Sequence, residues 1–113
     1  MDRYSQIQDV DHYGADALAA WGSTAQLRMV QEECGELIAE INRFERGRAS
    51  IDALCEEAAD VLITLSCLRA FAPDEFDAAL KRKLARARCR LDDWLGEAAY
   101  TKDGDDCDDG TSP

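Results

Sequence analysis

Glu32, Glu33 and Glu36 are followed, after an interval of 20 residues, by Glu57 and Asp60, so the chain reads E-E-x-x-E and then E-x-x-D. On a helix, residues three apart lie on one side with a turn between them, so each half of the pattern presents two carboxylates to the same region of space. Two such pairs facing each other form a cage for divalent cations. Carboxylate and water oxygens are the ligands that Mg²⁺ prefers, and it commonly reaches its substrates through phosphate oxygens. The pattern therefore points to a Mg²⁺-dependent enzyme acting on a nucleotide, with Mn²⁺ as a possible substitute. Because 24 of the 113 residues are acidic, one E-x-x-E alone would ordinarily be a solvated face. Four acids beside an apolar seam are a different matter: they raise one another's pKa and cost stability unless a cation neutralises them.

The elements that must position these acids are helical. Between Ser5 and Tyr100 the only proline is Pro73, and alanine, leucine, glutamate and arginine dominate, a composition with high helix propensity. A first helix is expected over about Tyr4 to Ala20, broken at Trp21-Gly22. Ser23 reads as an N-cap, with Gln26 completing a capping box, and the second helix is expected to run to about Arg46. Its apolar stripe is Leu27, Val30, Cys34, Leu37, Ile38, Ile41 and Phe44, at three- and four-residue spacing. Gly47 suits a left-handed position after that helix and Ser50 suits the next N-cap. So short a connection favours antiparallel neighbours. The third helix, about Ile51 to Phe71, is expected to turn Leu54, Ala58, Val61, Leu62, Leu65 and Leu68 inward, with Ile63 on the opposite side. A helix apolar nearly all round is buried on more than one face, which argues for oligomerisation as well as an intrachain core. Pro73 opens a fourth helix, with Asp74 and Glu75 at the positive end of its dipole.

The fourth helix concentrates positive charge. Lys81, Arg82, Lys83, Arg86, Arg88 and Arg90 are six of the chain's 13 basic residues. In an otherwise acidic chain this is where an anionic ligand could settle, with Lys83, Arg86 and Arg90 as the candidates to neutralise it; the competing reading is a solvated basic face near a helix C-terminus. Trp21 and Gln26, an aromatic and an amide at a helix junction, are candidates to stack on and hydrogen-bond a nucleobase, against the alternative that Trp21 is core. Phe44 reads as packing and His12, the only histidine, as a surface or cap residue. A single histidine cannot supply the two E-x-x-H motifs of a di-iron bundle.

Composition excludes several classes. A net charge of -11 argues against a nucleic-acid polymer as partner, because such binders carry a basic footprint. No stretch approaches the roughly 18 to 20 apolar residues of a membrane span, and the first ten residues are polar, so a cytoplasmic location is expected. Cys34, Cys55, Cys67, Cys89 and Cys107 are widely spaced without C-x-x-C, which suits reduced thiols rather than a disulfide framework or a zinc site. Residues 1–100 are expected to form one domain. Residues 101–113, with five aspartates and almost nothing apolar, are expected to be an acidic disordered tail.

Trp21-Gly22, Gln26-Leu27-x-Met29, Glu32-Glu33-Cys34-Gly35-Glu36-Leu37-Ile38, Arg46-Gly47-Arg48 and Glu56-Glu57-Ala58-Ala59-Asp60-Val61 resemble the MazG-like branch of the all-α nucleoside triphosphate pyrophosphohydrolases. The resemblance covers about Ala17 to Leu91 and includes the K-x-x-R at Lys83 to Arg86. It implies an antiparallel bundle of about four helices per chain, completed by a homodimer or homotetramer. The activity implied is hydrolysis of a ribo- or deoxynucleoside triphosphate to the monophosphate and pyrophosphate, in nucleotide-pool house-cleaning. It also implies that Glu33, Glu36, Glu57 and Asp60 bind Mg²⁺ and that Glu32 activates the water. Two rival readings stand beside it: a phosphoribosyl-ATP pyrophosphatase-like enzyme, and a non-enzymatic helical module that binds a partner and keeps the acids as surface charge.

Overall fold

The computed structural model of the chain describes residues 2–96, so the segment expected to be an acidic tail lies outside the described residues. The described residues form four helices and no strand: α1 (Arg3–Trp21), α2 (Ser23–Glu45), α3 (Ile51–Phe71) and α4 (Pro73–Trp94). The all-α expectation holds, and the helix boundaries fall within about a residue of those read from capping signals.

The junctions follow from local chemistry. Asp2 caps α1 by accepting a 2.8 Å hydrogen bond from the Ser5 backbone N–H. Between α1 and α2 the expected capping box is absent. Gly22, at φ 86°, is at once the C-cap of α1 and the N-cap of α2, and no side chain caps α2. With one residue separating the helices, Ser23 is already helical and its hydroxyl no longer lies outside the first turn, where a capping oxygen must be. Gln26 is thereby released from a capping role and is buried instead. The α2–α3 turn matches its sequence: Gly47 sits at φ 73°, and Ser50 Oγ accepts from the Ala53 N–H at 3.0 Å.

Helices α1 to α3 belong to one compact unit, which extends to Pro73. Within it α3 is flanked by α1 and by α2, while α1 and α2 touch each other little. The residues of α3 that this buries are Thr64, Ser66 and Cys67. The expected inward set therefore needs correction: Leu54, Val61, Leu65 and Leu68 are half-buried, but Ala58 is exposed and Leu62 is 58% exposed. The buried set follows a close helix crossing. A Cβ built on Gly14 of α1 would overlap the Ser66 carbonyl and hydroxyl, so the two backbones nearly touch, and only small residues fit at the contact. Ala17 and Cys67 are the buried apolar residues among those described.

Asp74 begins a second unit, whose described part is α4 and its terminus. The helix opens at Pro73 with Asp74 and Glu75 in the first turn, as its sequence dictates, and Arg88 donates from Nε to Asp92 at 2.9 Å, one turn on. Of the cysteines, Cys34, Cys55 and Cys67 are free. Cys89 is disulfide-bonded, which corrects the expectation of a reduced thiol at that position.

Candidate metal centre

The α2–α3 hairpin decides what the acidic motifs can do. Ser50 and Gly47 fix the reversal, and helical period places Glu33, Glu36 and Glu40 on one flank of α2 and Glu57 and Asp60 on one flank of α3. Carboxylate oxygens of Glu33, Glu36 and Glu57 all lie within 4.8 Å of one another. Three anionic groups from two helices thus converge on one point, at a separation that a single cation can bridge.

The electrostatics carry the marks of that crowding. The Glu33 carboxyl is raised above its ordinary 4.5, first by burial and then by the charges of Glu36, Asp60 and Glu57. The Glu57 carboxyl is raised likewise, first by burial and then by Glu36, Asp60 and Glu40. As whole residues both are only half-buried. The desolvation is local: Oε2 of each is buried and has no hydrogen-bond partner. A buried carboxylate oxygen without a donor is costly, and here the neighbouring groups are further carboxylates. The donor set consists of carboxylate oxygens only, two of them buried without a partner, which fits a hard divalent cation such as Mg²⁺ or Mn²⁺.

The remaining residues singled out in the sequence fall in different places. Asp60 is exposed and outside the converging trio, yet its charge acts on both Glu33 and Glu57. Glu32 is exposed and likewise outside the trio. Lys83 is exposed and Arg86 half-buried on α4, in the second unit. Glu40 was not among the site residues expected from sequence, although it stands one turn beyond Glu36. It is half-buried, it acts on Glu57, and it pairs with Arg43 at 3.6 Å.

One turn from the acids, at the junction of all three helices, lies a cavity of about 470 Å³ lined by Tyr13, Trp21, Ala25, Gln26, Met29 and Thr64. Trp21 is 62% exposed and Gln26 only 7%, so the indole stands at the rim and the amide sits deep. The core reading of Trp21 does not fit that exposure. Tyr13, Met29 and Thr64 were not foreseen as cavity residues, although Met29 precedes Glu33 by one turn and Thr64 follows Asp60 by one turn. The cavity and the carboxylates therefore adjoin along both helices, separated by roughly 6 Å at the 1.5 Å rise of an α-helix.

This geometry has a counterpart in known sequence families: the model of the MazG nucleotide pyrophosphohydrolase domain matches residues 22–88. The chain belongs to the MazG nucleotide pyrophosphohydrolase family. The matched segment spans α2 and α3, hence both acidic motifs, and most of α4. No curated protein and no solved structure matches the chain. None of the described helices is long and apolar enough to cross a membrane.

Proposed function

We propose that the chain is a Mg²⁺-dependent nucleoside triphosphate pyrophosphohydrolase, releasing a ribo- or deoxynucleoside monophosphate and pyrophosphate in nucleotide-pool house-cleaning. The observation that carries this reading is the convergence of Glu33, Glu36 and Glu57 within 4.8 Å one helical turn from a neutral cavity. Glu33, Glu36 and Glu57 would hold the cation, with Asp60 beside them; when bound, it supplies charge neutralisation for the phosphates and makes water more acidic.

The chain's own residues divide the remaining tasks. The cavity carries no charged side chain among its lining residues, which suits a nucleobase rather than a phosphate. Gln26 offers an amide donor and acceptor from a buried position, matching the donor–acceptor edge of a base, and Trp21 at the rim supplies a stacking face. With the base there, the phosphates extend toward the acids. Glu32, exposed at the start of the motif, takes the proton of the attacking water. The water oxygen ends on one phosphorus of the α–β anhydride, and the bridging oxygen leaves on the other with the electron pair. Lys83 and Arg86 are assigned to the phosphates.

A homo-oligomer, dimer or tetramer, acting in the cytoplasm completes the proposal. Ile38 at 63% and Leu62 at 58% exposure leave apolar surface on the hairpin that a second copy would cover.

The test is pyrophosphate release from a panel of ribo- and deoxynucleoside triphosphates, with Mg²⁺ and with chelator, for the wild type and Glu36→Ala. Metal-dependent release that disappears in the variant is expected, and Gln26→Leu is expected to alter the ranking of the bases. If no triphosphate releases pyrophosphate, the nucleoside triphosphate reading fails, and a larger nucleotide such as phosphoribosyl-ATP, or a protein partner, takes its place.

A further inference from the structure

The acids on α2 do not end at a neutral surface. Glu40 is followed by Arg43 on the same flank, and the turn that begins there adds Arg46 and Arg48, so three of the 13 basic residues fall within six positions. Arg43 is held in two directions: Nε faces Glu40 Oε1 at 3.6 Å, and Nη2 donates to the Arg48 carbonyl at 3.3 Å. The first contact keeps its guanidinium beside the acids. The second ties it to the turn, whose shape Gly47 fixes at φ 73°. Arg46 and Arg48 are exposed.

Along α2 the order is therefore a neutral cavity at Gln26 and Met29, carboxylates at Glu33, Glu36 and Glu40, then guanidinium groups. Gln26 to Glu33 is seven residues, or roughly 10 Å of helix, and Gln26 to Arg43 is 17, or roughly 25 Å, a span that Arg43 shortens by leaning back onto Glu40. A nucleoside triphosphate has the same order of chemistry: an uncharged aromatic end, a middle whose phosphates need cations, and a terminus carrying the highest charge. We infer that Arg43, Arg46 and Arg48 at the α2–α3 turn hold the outer phosphates of the substrate, and so the pyrophosphate that leaves. Arg43 rests on Glu40 until the phosphates arrive and then exchanges one anion for another. Arginine suits this task because its planar fork binds phosphate oxygens in pairs. A role confined to the helix dipole would account for Arg43 in the last turn of α2 but not for Arg46 and Arg48, which lie beyond it.

This inference rests on the pyrophosphohydrolase reading, and one set of measurements separates the two. Turnover of the triphosphate preferred by the wild type is measured with inorganic pyrophosphate and with the nucleoside monophosphate as product inhibitors, for the wild type, Arg43→Gln and the double variant Arg46→Gln/Arg48→Gln. Both variants are expected to weaken inhibition by pyrophosphate about tenfold and to raise KM, while inhibition by the monophosphate stays unchanged. A merely structural role would lower thermal stability without separating the two inhibitors. If Arg43→Gln fails to fold, the double variant carries the test, since its side chains are exposed. Unchanged pyrophosphate inhibition in an active double variant overturns the inference alone. A wild type that hydrolyses no triphosphate overturns both.

Discussion

Where α3 meets α1, the Ser66 hydroxyl is satisfied by α3 itself; where α3 meets α2, Glu33 and Glu57 face each other, each with one buried carboxylate oxygen that has no hydrogen-bond partner. Ser66 Oγ donates to the Ile63 carbonyl at 2.6 Å, as Thr64 Oγ1, in the cavity wall, does to the Val61 carbonyl at 3.0 Å. Each closes on its own helix, so the Ser66 hydroxyl is buried at the α1 contact at little cost. Glu33 and Glu57 have no such recourse, and each keeps a buried oxygen without a donor. One face of α3 is arranged for close packing. The other holds unfavourable electrostatics that a bound cation would relieve, which is the usual relation between a stable scaffold and a site.

The difference can be broken most severely on the α2 side. Replacing both Glu33 and Glu57 by glutamine keeps volume and removes two charges. Mn²⁺ affinity is expected to fall by more than about a hundredfold, beyond the loss that removing an outer-shell partner causes. The melting temperature of the metal-free protein should rise, because repulsion is gone. Calorimetric titration with Mn²⁺ and thermal unfolding read the two effects, and a variant that binds Mn²⁺ as the wild type does would remove these residues from the site.

The α1 side responds in the opposite sense. Gly14→Ala forces a methyl group into the Ser66 backbone, and overpacking of this kind costs about 1–3 kcal/mol. Gly35, inside the acidic motif of α2, has nothing within 4 Å of where its Cβ would stand. Gly35→Ala is therefore expected to stabilise by up to about 1 kcal/mol through helix propensity alone. Urea unfolding of the two variants gives the contrast directly. If Gly14→Ala proves neutral, the close crossing is not a determinant of stability.

Much of the α2–α3 hairpin was legible because each of its features has a local signal. Ser50 caps, Gly47 turns left-handed, Pro73 starts a helix, and the acids repeat at helical spacing. The α1 contact was not legible, because a crossing of small residues leaves no hydrophobic period: Gly14, Ser66 and Cys67 carry no pattern that points inward, whereas Leu62 carries one and is exposed. At Ser23 a strong local signal was overruled by geometry, since one residue joins two helices. The cavity was half legible. Trp21 and Gln26 stood out as an aromatic and an amide at a junction, but Tyr13 and Thr64 reach it from α1 and α3, and their meeting is a property of the packing.

The smallest effect, and the one that tests the contrast without mutation, is the dependence of stability on pH. In the metal-free protein Glu33 and Glu57 have folded-state values above 4.5, principally through burial and then through neighbouring carboxylates. Between the unfolded value and the raised one, the folded chain binds more protons than the unfolded chain, so stability falls as pH rises through that window. Above the raised value both states are deprotonated, and the full penalty persists with no further slope. Metal-free protein is therefore expected to melt at higher temperature as pH is lowered through the window between the raised values and 4.5, before general acid effects intervene. Saturating Mg²⁺ should reverse the trend, because a bound cation favours the deprotonated form and is displaced by protons. Melting curves across that range, with chelator and with Mg²⁺, distinguish the cases. The same slope in both would mean that the carboxylates do not share a cation and that the α2 face of α3 is only a crowded surface. Opposite slopes would locate the difference between the two faces in the charge that Glu33 and Glu57 hold.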